Sequence, residues 1–514
     1  MISVILIYTR KETIMSKIKY TWQDKAPLLE EKIKDHSDSG RYPFHMPGHK
    51  RRAIDFTDLY SLDITEIDGF DNLHNAQGIL KEAQKRAADL YGAKETFYLV
   101  NGSTAGILSA ISAALPRLGT LLMSRNSHKS AYHAVFLREL ETVYLLPAAT
   151  EFGISGSISP AHVAQALEDL PQISAVFITS PTYDGVTSDI RSIAEIAHAY
   201  DVPLIVDEAH GAHFIFSEEF PESALDCGAD LVIQSLHKTL PSFTQTALLH
   251  VNSDRIDLDA LKRFLSVYQT SSPSYLLMTS MDQCVRYMKE KGRAQMEEYL
   301  AELKTFYEQA KSLKHLKIFD STSLSSESCF GHDISKILIS VGDSGLTGQK
   351  LYHKLLNTYH LQMEMCAGHY VTALTTMMDT ADGFSRLLRA LKELDEKASL
   401  SARKPQGAAK VIYGAKRPGD SKLLTSNDIY QNPKPQMPIS LAMEQLSERL
   451  ALKSSTGHVS QEFVYLYPPG IPLIAPGEIL TGKLLGIVEE CRKQGLSVEG
   501  LSDPDAQSIQ VVKL

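Results

Sequence analysis

Between about Glu95 and His250, short apolar runs alternate with longer segments of helical spacing. The runs Glu95–Val100, Thr120–Ser124, Thr142–Leu146, Ala175–Thr179, Leu204–Val206 and Leu231–Gln234 are β-rich and short enough for buried strands. Stretches such as Gly106–Leu115 and Ile190–Tyr200 lie between some of them and are spaced as helices. This alternation predicts an α/β fold with a largely parallel sheet covered by helices. In such sheets ligands bind beyond the carboxyl ends of the strands. Ahead of the sheet stands a Pro/Gly/His cluster, His45-Met46-Pro47-Gly48-His49-Lys50. After it, Gln295–Leu313 reads as a charged amphipathic helix leading to a smaller α/β region that ends near Leu400. Residues 401–438, rich in Lys, Pro and Gly, read as a linker. The expected organisation is an arm over 1–60, a large domain over 61–300, a small α/β domain over 301–400, the linker, and a C-terminal domain over 439–514.

Composition narrows the classes. A chain of 514 residues exceeds one ordinary core, so two or three domains are expected. At 43% hydrophobic and 22% charged it is globular in composition, and no apolar run is long enough to span a bilayer. Ile2–Tyr8 is apolar but lacks a basic lead and a cleavage site, so it is a poor signal peptide; Met15 is an alternative start. A net charge of −9 without a basic block argues against nucleic acid and anionic membrane as partners. Five scattered cysteines without a Cys-x-x-Cys fit a reducing compartment, and a cytoplasmic enzyme is expected.

Four candidate features stand just after strands. Lys238, in Ser235-Leu236-His237-Lys238-Thr239, follows a strand with two hydroxyls and a histidine close by; alone, it reads rather as an exposed loop lysine. Asp207 ends Leu204-Ile205-Val206, where a carboxylate can face a pyridine nitrogen or simply cap a turn. Gly102-Ser103-Thr104-Ala105-Gly106 opens a helix, the place for a phosphate or an ordinary N-cap. His128, after the next strand, can stack on a ring or lie on a surface loop. An amine, an acid, an anion site and a stacking surface are the four things pyridoxal 5'-phosphate (PLP) requires, and together they favour that cofactor. A metal site built on Asp207, His210 and His213, or on His45 and His49, is disfavoured. Pro47-Gly48 breaks any helix between the latter pair, and no set of four ligands forms.

These pieces, with Ser180-Pro181-Thr182-Tyr183, Ser272-Pro273-Ser274-Tyr275, Tyr467-Pro468-Pro469-Gly470-Ile471-Pro472 and Pro476-Gly477-Glu478, closely resemble the Orn/Lys/Arg decarboxylases over almost the whole chain. The resemblance implies an aspartate-aminotransferase-like (fold type I) PLP domain with smaller α/β and C-terminal domains. It makes Lys238 the Schiff-base lysine, Asp207 the pyridine partner and His128 the stacking residue. Ser103, Thr104, Ser235 and His237 become phosphate contacts, with His210 counted among the cofactor-binding residues. The segment Thr270-Ser271-Ser272-Pro273, with Ser271, would reach a partner's phosphate, implying a homodimer or a dimer of dimers. Ile233 and Pro241 depart from the small residues the family usually has around the lysine motif, and the larger members' wing domain has no room here.

The implied reaction is decarboxylation of a basic amino acid, arginine first and then lysine or ornithine, with Lys238 or His237 returning the proton. Glu478 is the residue expected to meet the distal cation, or else a helix N-terminal glutamate. An aminotransferase or another PLP lyase on the same fold is the rival, Arg386 and Arg389 being conceivable carboxylate clamps. A catalytically inactive PLP-binding regulatory protein is the rival from another class.

Overall fold

The computed structural model describes residues 29–52, 54, 59–402, 429, 431–467, 470–493 and 496–513. Met15, most of the expected linker, and Pro468 and Pro469 of the C-terminal motif lie outside the described residues. The first described residues form helix α1 (Leu29–Asp38).

From residue 43 onward the chain is built on a seven-stranded sheet. Its strands are β1 (Glu95–Leu99), β2 (Thr120–Ser124), β3 (Glu141–Leu145), β4 (Ile173–Thr179), β5 (Leu204–Asp207), β6 (Leu231–Gln234) and β7 (Ala247–Val251), in the order β1-β7-β6-β5-β4-β2-β3. All neighbours are parallel except at β7, which runs antiparallel to β1 and β6. Strands β2, β5, β6 and β7 are buried at every position. The central strands are therefore apolar runs with little in-out alternation, as in a sheet covered on both faces, whereas β1 alternates and the edge strand β3 is largely uncovered. Helices α2 (Gly102–Ala114), α3 (Lys129–Arg138) and α4 (Ile190–Ala199) follow β1, β2 and β4 respectively, and one turn of helix, α5 (Leu236–Thr239), follows β6.

Two expectations needed correction here. Strand β7 went unread because His250 interrupts its apolar run; that imidazole is fully buried, bonded to Thr96 Oγ1 at 2.8 Å and Gln234 Oε1 at 3.2 Å. The charged helix expected from Gln295 is the second half of a 36-residue helix, α6 (Tyr275–Ala310). Its first half is rich in Met and Leu and lacks the charge alternation that marks the second.

Beyond α6, strands β8 (Lys317–Ile318), β9 (Lys336–Ser340), β10 (Met365–Cys366) and β11 (Tyr370–Leu374) form an antiparallel sheet in the order β8-β9-β11-β10, followed by α7 (Ala381–Ala402). The last part holds two small antiparallel sheets. One pairs β12 (Ser447–Ala451) with β16 (Ser508–Val512); the other orders β13 (Val464–Tyr467), β14 (Ile471–Ile474) and β15 (Ser497–Glu499) as β14-β13-β15. Helix α8 (Gly482–Lys493) packs its Leu484, Leu485 and Val488 into their core. Phe463, Tyr465 and Ala475 from this last part join the core of the large sheet, beside Tyr132 and Val135 of α3. The C-terminal part therefore packs against α3, the helix that follows β2.

Candidate active site

A cavity of about 700 Å³ opens at the carboxyl ends of the large sheet, a volume in the range of small-molecule sites. One wall begins at α2. Gly102 has φ +71°, a left-handed conformation that glycine adopts without a Cβ penalty, and it turns the chain from β1 into the helix. The unbonded amides of that helix start face the cavity with Ser103 and Thr104. Ser103 Oγ shares a 2.5 Å hydrogen bond with Ser235 Oγ, which follows β6, so hydroxyls from two strand ends converge beside the helix terminus. Such a place suits a phosphate.

Lys238 lies in α5, held from below by the His45–Lys50 segment. Gly48 N–H donates to His237 O at 2.7 Å, and a Cβ on Gly48 would lie 2.9 Å from the Leu240 backbone, so only glycine permits the contact. Lys238 Nζ reaches into the cavity and donates to His210 Nε2 at 3.1 Å. Burial lowers the lysine's pKa, opposed by the Asp207 and Glu364 carboxylates, so its amine is easier to deprotonate than a surface lysine's. Burial, then the neighbouring Lys238, drives His210 well below the usual histidine value and keeps it neutral. His237 donates Nδ1–H to Thr246 O at 2.9 Å and is held down at about 4, chiefly by burial.

Asp207, 4% exposed, ends β5 at the cavity wall, where its carboxylate accepts one hydrogen bond, from Ala209 N–H at 3.1 Å. Burial raises its pKa against the pull of Lys238. His128 is the N-cap of α3; Ser130 N–H donates to its Nδ1 at 3.3 Å, and burial brings its pKa down to about 3. Its ring is thus neutral and fixed. Gly470, at φ +92°, passes so close that a Cβ would sit 3.5 Å from His128 Nε2, and Gly470 O accepts Lys129 N–H at 3.0 Å.

The cavity fits PLP on the chain's own terms. Asn126 Oδ1, Thr179 Oγ1 and His210 Nδ1 are buried at its wall without hydrogen-bond partners. Buried polar atoms are nearly always satisfied, so these three are open to the polar groups of a ligand. A helix terminus with paired hydroxyls, an unpaired buried acid, an amine and a flat neutral ring match the phosphate, the ring nitrogen, the aldehyde and the ring face.

At one residue the structure departs from expectation. Glu478 does not line the cavity. It is 2% exposed and ion-paired with Arg125 at 3.1 Å, and its Oε2 also accepts Ala475 N–H at 2.8 Å. It is not a helix cap either, since α8 starts at Gly482. Ser271 is exposed and outside this chain's cavity. Three cavity residues had escaped the sequence reading. Glu364 accepts Met46 N–H at 2.8 Å and the Tyr183 hydroxyl; Asp184 is buried with Tyr370 OH at 2.9 Å, and Asn126 stands two positions before His128. Tyr183 closes the Ser180-Pro181-Thr182-Tyr183 motif after β4 and Asp184 follows it; Glu364, just before β10, carries no local signal. Among the described residues no group of three or more His, Cys, Asp or Glu is placed to hold a metal, and no helix is long and apolar enough to cross a membrane.

Residues 26–336 match the family described as Orn/Lys/Arg decarboxylase, major domain, and residues 422–493 match its C-terminal domain. The arginine decarboxylase of Bacillus subtilis (strain 168) is 31% identical over 504 residues, covering 96% of this chain and 98% of that protein. That of Bacillus anthracis is 29% identical over 500 residues, covering 96% and 98%. The structure of the Francisella novicida lysine decarboxylase LdcF superposes with a TM-score of 0.74 at 18% identity, over 94% of this chain and 83% of that one, which shows the fold. Both family domains are matched, in order, on a chain whose strand ends carry the PLP constellation: it belongs to the Orn/Lys/Arg decarboxylase family.

Proposed function

We propose that the cavity takes arginine first, and lysine or ornithine next, and releases the α-carboxylate as carbon dioxide to leave the amine. The observation that carries this reading is the charge of the wall. Asp184, Asp207 and Glu364 line it, Lys238 is its one lysine, and no arginine is among the described residues that line it. A distal cation meets carboxylates, as a buried charge requires. The α-carboxylate meets no guanidinium to hold it ionised, so its loss as a neutral gas is not opposed. Asp184 and Glu364 take the distal-cation role once expected of Glu478, and two carboxylates suit the planar fork of a guanidinium. The names of the Bacillus relatives agree with arginine.

PLP, when bound, supplies the sink for the electron pair left on Cα as carbon dioxide departs. Lys238 would hold the cofactor, and its amine, in hydrogen-bond contact with neutral His210, is placed to return a proton to Cα. Asp207 keeps a proton on the pyridine nitrogen. His128 offers an uncharged face that excludes water, and Ser103, Thr104 and Ser235 with the start of α2 hold the phosphate. The Nε2 of His237 is left free by its Thr246 bond and serves as a further contact at the same end.

The rival aminotransferase reading lacks a clamp: Arg386 donates to His360 O on α7, and Arg389 is exposed there. An inactive regulatory protein has no need of an amine and an acid at the strand ends together. We further propose a homodimer, or a dimer of dimers, in the cytoplasm. Thr270, Ser271 and Ser272 are exposed beside the start of α6, and Phe70, 44% exposed, packs edge-on against Tyr275 next to them, an apolar surface continuous with that segment.

The test is a panel of arginine, lysine, ornithine and neutral amino acids with the PLP-loaded enzyme, following carbon dioxide, amine and keto acid. Agmatine with stoichiometric carbon dioxide is expected from arginine; keto acid as the main product would overturn the reading.

A further inference from the structure

The strand ends form a row that can be matched to the shape of pyridoxal phosphate. Ser103 and Ser235 follow β1 and β6, Asp207 ends β5, Thr179 ends β4 and Asn126 follows β2. Thr179 and Asp207 are direct neighbours across β4 and β5. The phosphate arm and the 3-oxygen lie on opposite edges of the pyridine ring, either side of the axis through its nitrogen. With the phosphate at Ser103 and Ser235 and the nitrogen on Asp207, the 3-oxygen edge faces the β4–β2 end of the row.

Two unsatisfied polar side chains stand at that end. Asn126 is 3% exposed and lines the cavity, yet its amide makes no hydrogen bond and its Oδ1 is buried. Thr179 Oγ1 is likewise buried, unbonded and at the cavity wall. Their neighbours are committed elsewhere. Arg125 is turned away onto Glu478, Leu473 O and Tyr132 OH. Ser180 Oγ accepts Ser188 N–H at 3.1 Å.

We infer that Asn126, supported by Thr179, holds the 3-oxygen of the cofactor, a contact that rests on the roles proposed for Asp207, Ser103 and Ser235. The amide can rotate to present N–H to an anionic oxygen. A donor to the phenolate favours its charged form and so lowers the pH at which the lysine-bound cofactor loses its proton. A neutral amide does this without the full charge that would also grip the substrate's carboxylate.

The readout is the visible absorption of the PLP-loaded protein, titrated with pH in the absence of substrate, together with the dissociation constant of PLP. Asn126→Ala is expected to raise the spectral midpoint by about one pH unit and to weaken PLP about tenfold, as loss of a hydrogen bond to a charged group does. Asn126→Asp, nearly the same shape, sets a carboxylate against the oxygen and is expected to raise the midpoint further. Thr179→Val is expected to shift it less, in the same direction. Midpoints and PLP affinity equal to wild type in both Asn126 variants overturn the inference. So does a defect confined to binding of a substrate analogue, which would put Asn126 at the amino acid's carboxylate instead. Failure of the parent reading has its own signature: in the wild type, borohydride fixes the cofactor on a lysine other than Lys238.

Discussion

Asp184 lies in the cavity wall with the Tyr370 hydroxyl as its hydrogen-bond donor, and burial raises its pKa from 3.8 to about 6. A carboxylate so placed loses its charge at mildly acid pH. By itself it costs the fold stability as pH rises from 3.8 to about 6, and a bound substrate cation reverses that cost. KM for the basic amino acid is therefore expected to climb as pH falls below about 6, approaching tenfold per unit, and Asp184→Asn is expected to flatten that limb. Initial rates between about pH 5 and pH 7.5 measure it, and an unchanged limb in the variant would clear Asp184 of the role. Lys238, Asp207 and His128 were readable because each stands in a short motif at a strand end, where local order already places a side chain. Asp184 and Glu364 were not, because a carboxylate's part depends on what faces it across a cavity. The surroundings of Glu478 were hidden for the same reason: its partner Arg125 stands 353 positions away in sequence.

Elements meet at that guanidinium. Arg125, 1% exposed, leaves β2 and binds Tyr132 OH of α3, Leu473 O of β14, Gln431 O and Glu478, with the Tyr144 ring 4.9 Å away. The C-terminal strands are thereby fastened to the loop that carries Asn126 and His128. Removing one partner of a buried pair leaves the other charge uncompensated, so Glu478→Gln is expected to lower unfolding free energy by on the order of 3 kcal/mol. KM for the basic amino acid should stay within about twofold, since a lost distal contact would cost several times that. Chemical denaturation and steady-state kinetics on one preparation distinguish the two. A large KM rise with full stability would return Glu478 to the substrate. The covered strands were legible at this scale because burial on both faces leaves an uninterrupted apolar run. Strand β7 was hidden by His250, and the first half of α6 by its Met- and Leu-rich start, which carries no charge before Asp282.

For the whole molecule, the exposed Thr270–Ser272 segment sets the test of assembly. A Lys238→Ala chain and a chain altered at Ser271 and Ser272 are each expected to lose more than about 90% of activity, the latter by weakened phosphate binding. Mixed under exchange conditions, they are expected to recover up to about a quarter of wild-type activity through hybrids holding one intact site. No recovery despite hybrids seen by native mass spectrometry would mean that each chain completes its own site. The fold class was visible in the strand–helix alternation; closure of the cavity was not, because it joins distant parts of the chain. Its wall runs from Met46 and Pro47 to Leu496 and Ser497. That span has a consequence for biogenesis. A ribosome adding roughly 5–20 residues per second needs on the order of ten seconds or more to make the half of the chain that follows Lys238. Until Ser497 emerges, the lysine's amine is present but its pocket is not. The pocket is thus completed late in synthesis, and a message truncated before the codon for Ser497 yields protein without a complete pocket.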